Sequence, residues 1–184
     1  MRLYSILSLL ILVSLQNSCV NGGENKNNFP VNSFLLQELA AIDSLPVAIF
    51  RTKESNGSSD TSIVEKKAFR RLSMGLLDMD LQENTNKKKY KELVLEDLQL
   101  GNISITYTTE DADAALKKLE LNTNVGSNKI KSIFAERHEK AGDTLLIRKI
   151  LWTTATEMMV NTCYYKKGQL LNNITERYNW TIGK

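Results

Sequence analysis

The sequence predicts an α+β fold in which N-terminal helices pack on a curved antiparallel meander sheet of six or seven strands. Two observations lead to this prediction. The hydrophobic period is helical, at three to four residues, before about residue 78, and it changes to two from Tyr90 onward. The segments between the later strands are also too short for the helical crossovers that parallel strands require. Residues 30–184 are long enough for a single domain with its own core.

Two helices are predicted at the start of the domain. Ser33 is placed to cap a first helix over residues 34–42, and Pro46 follows its end. Only a short extended piece, PVAIFRTK, and an exposed loop, ESNGSSD, are expected between the helices. The second helix begins at Ser62 and Glu65, which have the spacing of a capping box. Its apolar residues recur at helical spacing: Val64, Ala68, Phe69, Leu72, Leu76 and Leu77.

Strand-like segments then continue to the C-terminus, with alternating or β-branched and aromatic residues. Short turn-forming segments separate them, so we predict that successive strands pair in an antiparallel meander. Gly142-Asp143 and Lys167-Gly168 are the best candidates for two-residue hairpin turns. The segments are YKELVLED, ISITYTT, LKKLELN, IKSIFAER, TLLIRKILWTT, EMMVNTCYY and LLNNITERYNW.

The N-terminus has the features of a targeting segment. Arg2 precedes a mostly apolar run over residues 3–15, and a helix of that length spans roughly 20 Å, well short of the roughly 30 Å core of a bilayer. Ser18 stands directly before Cys19. This stretch resembles a bacterial lipoprotein signal. The resemblance implies that residues 1–18 are removed, that Cys19 is lipidated and anchors the protein to a membrane, and that residues 19–29 form a flexible tether.

Three other interpretations of Cys19 remain open. In a plain secreted protein, cleavage near Gly22 would discard it. In an oxidising compartment it would pair with Cys163, the second of the two cysteines. A eukaryotic secreted protein is the third, because four triplets match the glycosylation pattern, at Asn56, Asn102, Asn173 and Asn179.

The charge balance argues against a nucleic-acid partner. The whole chain carries a formal net charge of +3, and removal of residues 1–18 takes away one basic residue and leaves 23 basic against 21 acidic residues, a net of +2. A protein that binds nucleic acid through phosphates needs a dominant basic face. Local runs of charge are therefore expected to be solvated faces that complement each other in the fold.

Residues suited to catalysis or metal binding are sparse. The single histidine, His138, lies between Glu136 and Glu139 in AERHEKAGD, where a base assisted by a carboxylate is conceivable. On a strand, however, Glu136 and His138 share one face and Glu139 lies on the other. Neither the histidine count nor the cysteine spacing fits the common zinc sites. We therefore predict no catalytic residue, no metal site and no cofactor.

Aromatic residues are concentrated near the C-terminus. On a strand, Met159, Cys163 and Tyr165 share one face. If exposed, the aromatic side chains would form a binding surface for a protein partner or an apolar ligand; the alternative is that they pack in the core. The candidate residues are Trp152, Tyr164, Tyr165, Tyr178 and Trp180.

The layout of the segments LDMDLQ, YKELVLED, GNISITYTT, IKSIFAER and KILW resembles small envelope lipoproteins of the Bacteroidota. The resemblance implies a location in a Gram-negative cell envelope, with secretion as the alternative. The function we expect is that of a non-enzymatic lipoprotein that binds a protein partner or an apolar ligand through its sheet. The alternative is a small envelope enzyme, or an inhibitor or immunity-type protein that acts on an enzyme.

Overall fold

The computed structural model describes residues 31–77, 89–127 and 129–180. Within these ranges the chain forms two helices and nine strands. The helices are α1 (Val31–Ser44) and α2 (Lys66–Leu77). The strands are β1 (Ile49–Ser55), β2 (Ser58–Val64), β3 (Lys91–Asp97), β4 (Asn102–Thr108), β5 (Leu116–Asn124), β6 (Ile130–Ala141), β7 (Thr144–Thr153), β8 (Glu157–Lys166) and β9 (Gln169–Asn179).

All nine strands belong to one antiparallel sheet with the order β2-β1-β9-β8-β7-β6-β5-β4-β3. Each strand from β3 to β8 pairs with the next one along the chain, and the β1–β2 hairpin adds to the free side of β9. The sheet is not closed, so β2 and β3 are its edges. The predicted α+β class and antiparallel meander are confirmed, but the predicted number of six or seven strands is too low.

The two additional strands form a hairpin where we predicted an extended piece and a loop. Its turn is Asn56-Gly57, and both residues have positive φ, 50° and 78°. Positive φ at both central positions is the requirement of a type I′ turn, which Asn-Gly meets well. Strand β2 was missed because it is an edge strand with mostly exposed, polar side chains, so burial imposes no alternation on its sequence.

The hairpin also moves the start of the second helix. Residues 58–64 pair with β1 along their whole length, up to the pair of Ile49 and Val64. Ser62 is therefore a strand residue, and the predicted capping box at Ser62 is wrong. Helix α2 begins at Lys66 instead.

Both predicted hairpin turns are confirmed. Ala141 pairs with Thr144 across the Gly142-Asp143 turn, and Gly142 has a φ of 65°. Lys166 pairs with Gln169 across the Lys167-Gly168 turn, where φ is positive at both central residues. The first turn fixes the register of β6 on β7. The second turn sets the pairs Lys166–Gln169 and Tyr165–Leu170, and the register of β8 on β9 then shifts by one residue between Tyr165 and Tyr164.

The helices cover one face of the sheet, which we call the helix face. Phe69 of α2 lies among three aromatic rings of the sheet, with centroid distances of 6.0 Å to Trp152, 5.6 Å to Tyr178 and 5.1 Å to Trp180. The two tryptophan rings are 5.0 Å apart. Tilted and offset contacts at these distances are favourable beyond the burial of apolar area.

The end of α1 is joined to the start of α2. Lys66 Nζ donates hydrogen bonds to the main-chain carbonyls of Asp43, at 3.2 Å, and of Leu45. Arg70 forms an ion pair with the Asp43 carboxylate. Cations at a helix C-terminus satisfy its last carbonyls and complement its dipole, so these contacts orient the two helices relative to each other.

Candidate functional site

The two faces of the sheet differ in how deeply they are buried. Register places Ile133, Trp152, Met158 and Tyr178 in one row across β6, β7, β8 and β9, and all four are buried on the helix face. Their sequence neighbours on the opposite face, which we call the outer face, are half-buried or exposed. The buried residues of the described strands have the parity of the helix face, except Leu116 and Ile130, which lie beyond the register shifts between β5 and β6.

The five aromatic residues considered as a binding surface do not lie together. Trp152, Tyr178 and Trp180 are 0%, 3% and 0% exposed and belong to the core under α2. Tyr164 and Tyr165 are half-buried on opposite faces: Tyr164 pairs with Leu146 on the helix face and Tyr165 with Leu145 on the outer face. Only Tyr165 is therefore placed for contact on the outer face.

Tyr165 belongs to a group of apolar side chains on the outer face that spans three strands. Ile147 pairs with Cys163, Leu145 pairs with Tyr165, and Tyr165 pairs in turn with Leu170. The first four are half-buried by their neighbours in the sheet, and Leu170 is 53% exposed. We call these residues the outer apolar patch: Leu145, Ile147, Cys163, Tyr165 and Leu170.

Sequence analysis placed Cys163 and Tyr165 on one strand face but missed the members of the patch on β7 and β9. The pattern that would have found them is the run Leu145-Leu146-Ile147, where apolar residues occupy both faces of one strand. In an antiparallel strand with one buried face, apolar and polar residues alternate. A continuous apolar run instead indicates a strand with apolar contacts on both faces of the sheet.

Polar side chains border the patch and are already hydrogen-bonded. Cys163 Sγ lies 3.4 Å from Asn161 Oδ1 and 3.6 Å from Asn173 Oδ1. Asn161 Nδ2 donates to Asn173 Oδ1 at 2.7 Å and to Thr175 Oγ1 at 3.0 Å. Because these amides already have partners within the sheet, the patch has a fixed polar border.

A second apolar group on the outer face is shielded by cations. It consists of Phe134, Leu151 and Met159, which lie in one row across β6, β7 and β8. Lys118 Nζ lies 5.5 Å from the centre of the Phe134 ring, and Arg177 Nη2 lies 3.9 Å from Met159 Sδ. The alkyl chains of such residues cover apolar surface while their charges stay in water, so this group is less available for contact than the outer apolar patch.

His138 lies at the border of the patch, opposite Ile147. Its Nε2 is 2.8 Å from Glu136 Oε1, as expected for two residues on the same strand face. Glu139 is on the helix face, where Arg148 and Arg137 are its ion-pair partners. The pair of His138 and Glu136 has the geometry of a base and its orienting carboxylate.

A nucleophile is not within reach of this pair on the same row. His138 is followed across the sheet by Ile147 and then by Cys163, so the main chains of His138 and Cys163 are two strand spacings apart, about 10 Å. A thiol and its base must be within about 3 Å of each other. Cys163 is a free cysteine, and the described ranges contain no group of three or more His, Cys, Asp or Glu that could hold a metal ion.

The best-formed depressions on the described surface are open and are lined by polar residues and glycine, without large apolar side chains. One, of about 340 Å³, is lined by Thr52, Glu54, Thr175, Arg177 and Asn179 on the outer face. Another, of about 290 Å³, lies beside the Asn56-Gly57 turn. Sites for apolar ligands are concave and mostly apolar, and neither depression has that lining.

Buried Tyr178 is the side chain with the most perturbed titration. Desolvation is the main cause and the nearby Glu176 carboxylate adds to it, while Arg51 opposes them; together they raise the pKa of Tyr178 to about 12. Tyr178 lies in the aromatic core and not in a cleft, so this shift reports on stability and not on a reactive group.

The predicted leader, Cys19 and the tether lie outside the described residues. Within the described ranges, no helix is long and apolar enough to cross a bilayer. Comparison of the chain with protein-family models, with curated proteins and with solved structures found no match in any of the three. Fold and site therefore define the class of the protein by themselves: an open α+β sheet with one face covered by the two described helices and an opposite face, not covered by them, that carries an apolar patch.

Proposed function

We propose that this protein is a lipid-anchored component of a bacterial cell envelope that binds a protein partner through its outer apolar patch. The proposal is supported mainly by the placement of Leu145, Ile147 and Tyr165 on the sheet face opposite the two described helices, next to the exposed Leu170. Neighbouring apolar side chains that are partly exposed and have a polar border are typical of protein interaction sites.

A protein partner fits this surface better than a small apolar ligand does. A small ligand needs a concavity that buries most of its surface, whereas the patch lies on the face of a sheet and the nearby depressions are polar. A partner with a flat apolar surface would contact several of these residues at once. Tyr165 is the natural anchor, because tyrosine supplies a large contact area at a low entropic cost and is enriched in binding hot spots.

The location rests on Ser18-Cys19 after the apolar run. Cys19→Ser removes the thiol to which lipid would be attached, so the variant is expected to remain an unprocessed precursor or to leave the detergent phase. Phase partitioning and mass spectrometry of the N-terminus measure this directly. Cys163→Ser is the matched control and should partition like the parent protein. Normal processing and unchanged membrane partitioning of the Cys19 variant would make the anchor hypothesis wrong and favour secretion.

The partner surface is tested by photo-crosslinking in intact cells. A photoreactive phenylalanine analogue at Tyr165 faces outward from the patch, and the same analogue at Tyr164 is a matched control on the other face of the same strand. We expect one discrete protein adduct from position 165 and none of that mass from position 164. The adduct should weaken when Ile147→Ser is added, because that change lowers the apolar area next to Tyr165.

Two results would contradict the proposal. Equal adducts from positions 164 and 165 would show that the contact does not depend on the outer face. The absence of any adduct from 165, in a variant that melts like the parent protein and sits in the same membrane fraction, would remove the outer apolar patch as a binding surface.

A further inference from the structure

The edge strand β3 is the most exposed strand of the sheet. All seven of its residues are exposed, in contrast to the other strands of the meander. Its apolar side chains lie on both faces: Leu93 is 53%, Val94 is 43% and Leu95 is 58% exposed. One side of β3 is paired with β4, and the other has no neighbouring strand in the described sheet. An edge with these properties is a template for pairing with another strand.

The sequence of β3 is complementary to itself when it is read in the antiparallel direction. With Val94 opposite Val94, Lys91 stands opposite Asp97 and Leu93 opposite Leu95. The residues Lys91, Leu93, Leu95 and Asp97 have the same parity and share the outer face. In this register the outer face therefore gains two opposite-charge pairs and two leucine pairs, each of which stabilises a sheet.

We propose that β3 pairs with β3 of a second copy of this chain, in antiparallel register about Val94. The occupant is a second copy because the charge order Lys-x-Leu-x-Leu-x-Asp is complementary to its own reverse, whereas a foreign strand has no reason to match it. The two copies form one continuous sheet of eighteen strands, from nine in each. Their helices lie on the same side, and so do their two outer apolar patches.

The side chains at the two ends of β3 are available for this pairing. Lys91 Nζ contacts Glu110 at 2.7 Å in a pair whose side chains are 78% and 87% exposed, and such a pair contributes little. Asp97 Oδ1 accepts hydrogen bonds from the main-chain amides of Gln99 and Leu100, each at 3.0 Å. These bonds hold the carboxylate in a fixed position at the end of the strand, where Lys91 of the second copy reaches it.

On the helix face, the same register brings like charges together. Glu92 and Glu96 lie on that face beside Val94, so each Glu92 stands opposite Glu96 of the second copy. Like charges directly opposite each other are destabilising. The dimer is therefore held by the outer-face pairs and the main-chain bonds, and it is weakened by the two carboxylate pairs. Substitutions at Glu92 and Glu96 should therefore change the affinity of the dimer in a way that depends on this register.

The register is tested with cysteines introduced into the full-length chain in the Cys163→Ser background, which keeps Cys19 and serves by itself as the control for crosslinking through that residue. At Val94→Cys the two thiols face each other across a strand pair, with Cα atoms about 4.5–5.5 Å apart, which suits a disulfide. Leu93→Cys and Leu95→Cys are matched controls, since each pairs with the other position and not with itself. We expect mild oxidation to crosslink Val94→Cys with itself, and to crosslink Leu93→Cys only when it is co-expressed with Leu95→Cys.

The energetics are tested on the detergent-solubilised full chain by sedimentation equilibrium. Glu96→Lys turns both carboxylate pairs into Glu–Lys pairs, and we expect the dimer to tighten by about tenfold. Glu92→Lys combined with Glu96→Lys restores like charges at both places, and affinity should return to about the parent value. A simple effect of net charge would change affinity in one direction through this series, so the reversal identifies the pairing itself.

Each alternative has its own result. Crosslinking of Leu93→Cys with itself at the rate of Val94→Cys, or affinity that changes steadily through the lysine series, overturns the proposed register. An average mass that rises beyond that of a dimer as the concentration increases would indicate open-ended association and would overturn the closed dimer. Loss of the dimer would not remove the adduct at Tyr165, so this proposal and the proposed function fail separately.

Discussion

The two faces of the sheet are made from the same strands, yet their side chains differ in how deeply they are buried and in what buries them. On the helix face, Phe69 of α2 lies among Trp152, Tyr178 and Trp180, and all four side chains are almost completely buried. On the outer face, Ile147 and Tyr165 are only half-buried, and their cover comes from neighbours within the sheet. A substitution on the helix face should therefore cost folding free energy, and one on the outer face should cost recognition.

Tyr164 and Tyr165 illustrate the difference within one strand. They are adjacent in sequence and similar in exposure, yet one points to each face. Composition and aromatic density do not distinguish them, but register does. Strand parity is therefore the observation that separates core residues from surface residues in this protein.

The largest effect is expected from Phe69→Ala, which removes the centre of the aromatic core. Such truncations typically cost about 3–5 kcal/mol because they combine lost burial with a residual cavity. Denaturant unfolding followed by tryptophan fluorescence measures the loss, since both tryptophans lie beside Phe69.

Leu36→Ala is the matched control for this experiment. Leu36 belongs to α1 but is 43% exposed, so its truncation should change the free energy of unfolding by no more than about 0.5 kcal/mol. Equal losses from the two variants would mean that the aromatic core does not dominate the helix face.

The prediction of the helix face from sequence was largely successful, and the reason is physical. Buried strand residues alternate, which made the buried segments from Leu116 onward recognisable, whereas the exposed edge β3 was found from its apolar residues Leu93, Val94 and Leu95. Helix α1 was found from Leu35, Leu39 and Ile42, all of which are buried. The β1–β2 hairpin was missed because an exposed edge such as β2 is not constrained by burial, and the Asn56-Gly57 turn was the sequence feature that indicated it.

The outer face was harder to predict because the composition of its apolar patch depends on which residues are brought side by side by the strand register. The outer apolar patch combines residues of β7, β8 and β9 that only the register brings together. Sequence analysis grouped Tyr165 with Trp152 and Trp180 by proximity along the chain, and the structure separates them into different faces. A parity count along β7 and β8 would have made that separation.

A second prediction concerns alkaline pH and is specific to the helix face. Since burial raises the pKa of Tyr178 from 10.0 to about 12, the folded state favours the neutral phenol. The associated stability is fully present below pH 10 and is lost as the pH rises from 10 through 12. We expect the ionisation of Tyr178 to lower the free energy of unfolding by on the order of 1–2 kcal/mol over this pH range.

Tyr178→Phe is the variant that isolates this contribution. The free energy of unfolding should fall less between pH 9 and pH 11.5 in the variant than in the parent protein. The comparison is needed because burial and Asp111 also raise the pKa of Tyr90, which is present in both proteins. Parallel pH profiles would show that the ionisation of Tyr178 is not coupled to folding.

A smaller effect is expected at the turn between β7 and β8, which connects the helix layer to the sheet. Ala155 has a φ of 60° there, and its amide donates to Glu38 Oε2 of α1 at 3.2 Å. The left-handed conformation costs an L-residue with a Cβ about 1 kcal/mol. Ala155→Gly keeps the amide and removes that cost, so thermal unfolding should shift upward by the equivalent of about 0.5–1 kcal/mol.

Thr156→Gly in the same turn is the control for Ala155→Gly. Thr156 does not have a positive φ, and its hydroxyl donates to the carbonyl of Thr153 at 3.3 Å. Glycine at this position should therefore lower stability. If both glycine variants move the melting temperature in the same direction, the left-handed backbone of Ala155 is not the cause.

The smallest effect is expected from His138→Ala, and it decides between recognition and catalysis on the outer face. Cys163 is the one cysteine in the described ranges, and Ile147 separates it from the His138–Glu136 pair. His138→Ala should change stability by less than about 1 kcal/mol and should fully complement a deletion strain. Tyr165→Ala is the contrasting variant, since loss of an interface anchor should impair complementation while the melting temperature stays near that of the parent. If His138→Ala alone abolishes complementation in a stably folded protein, the imidazole has a chemical role, and an enzyme becomes the better explanation of the outer face.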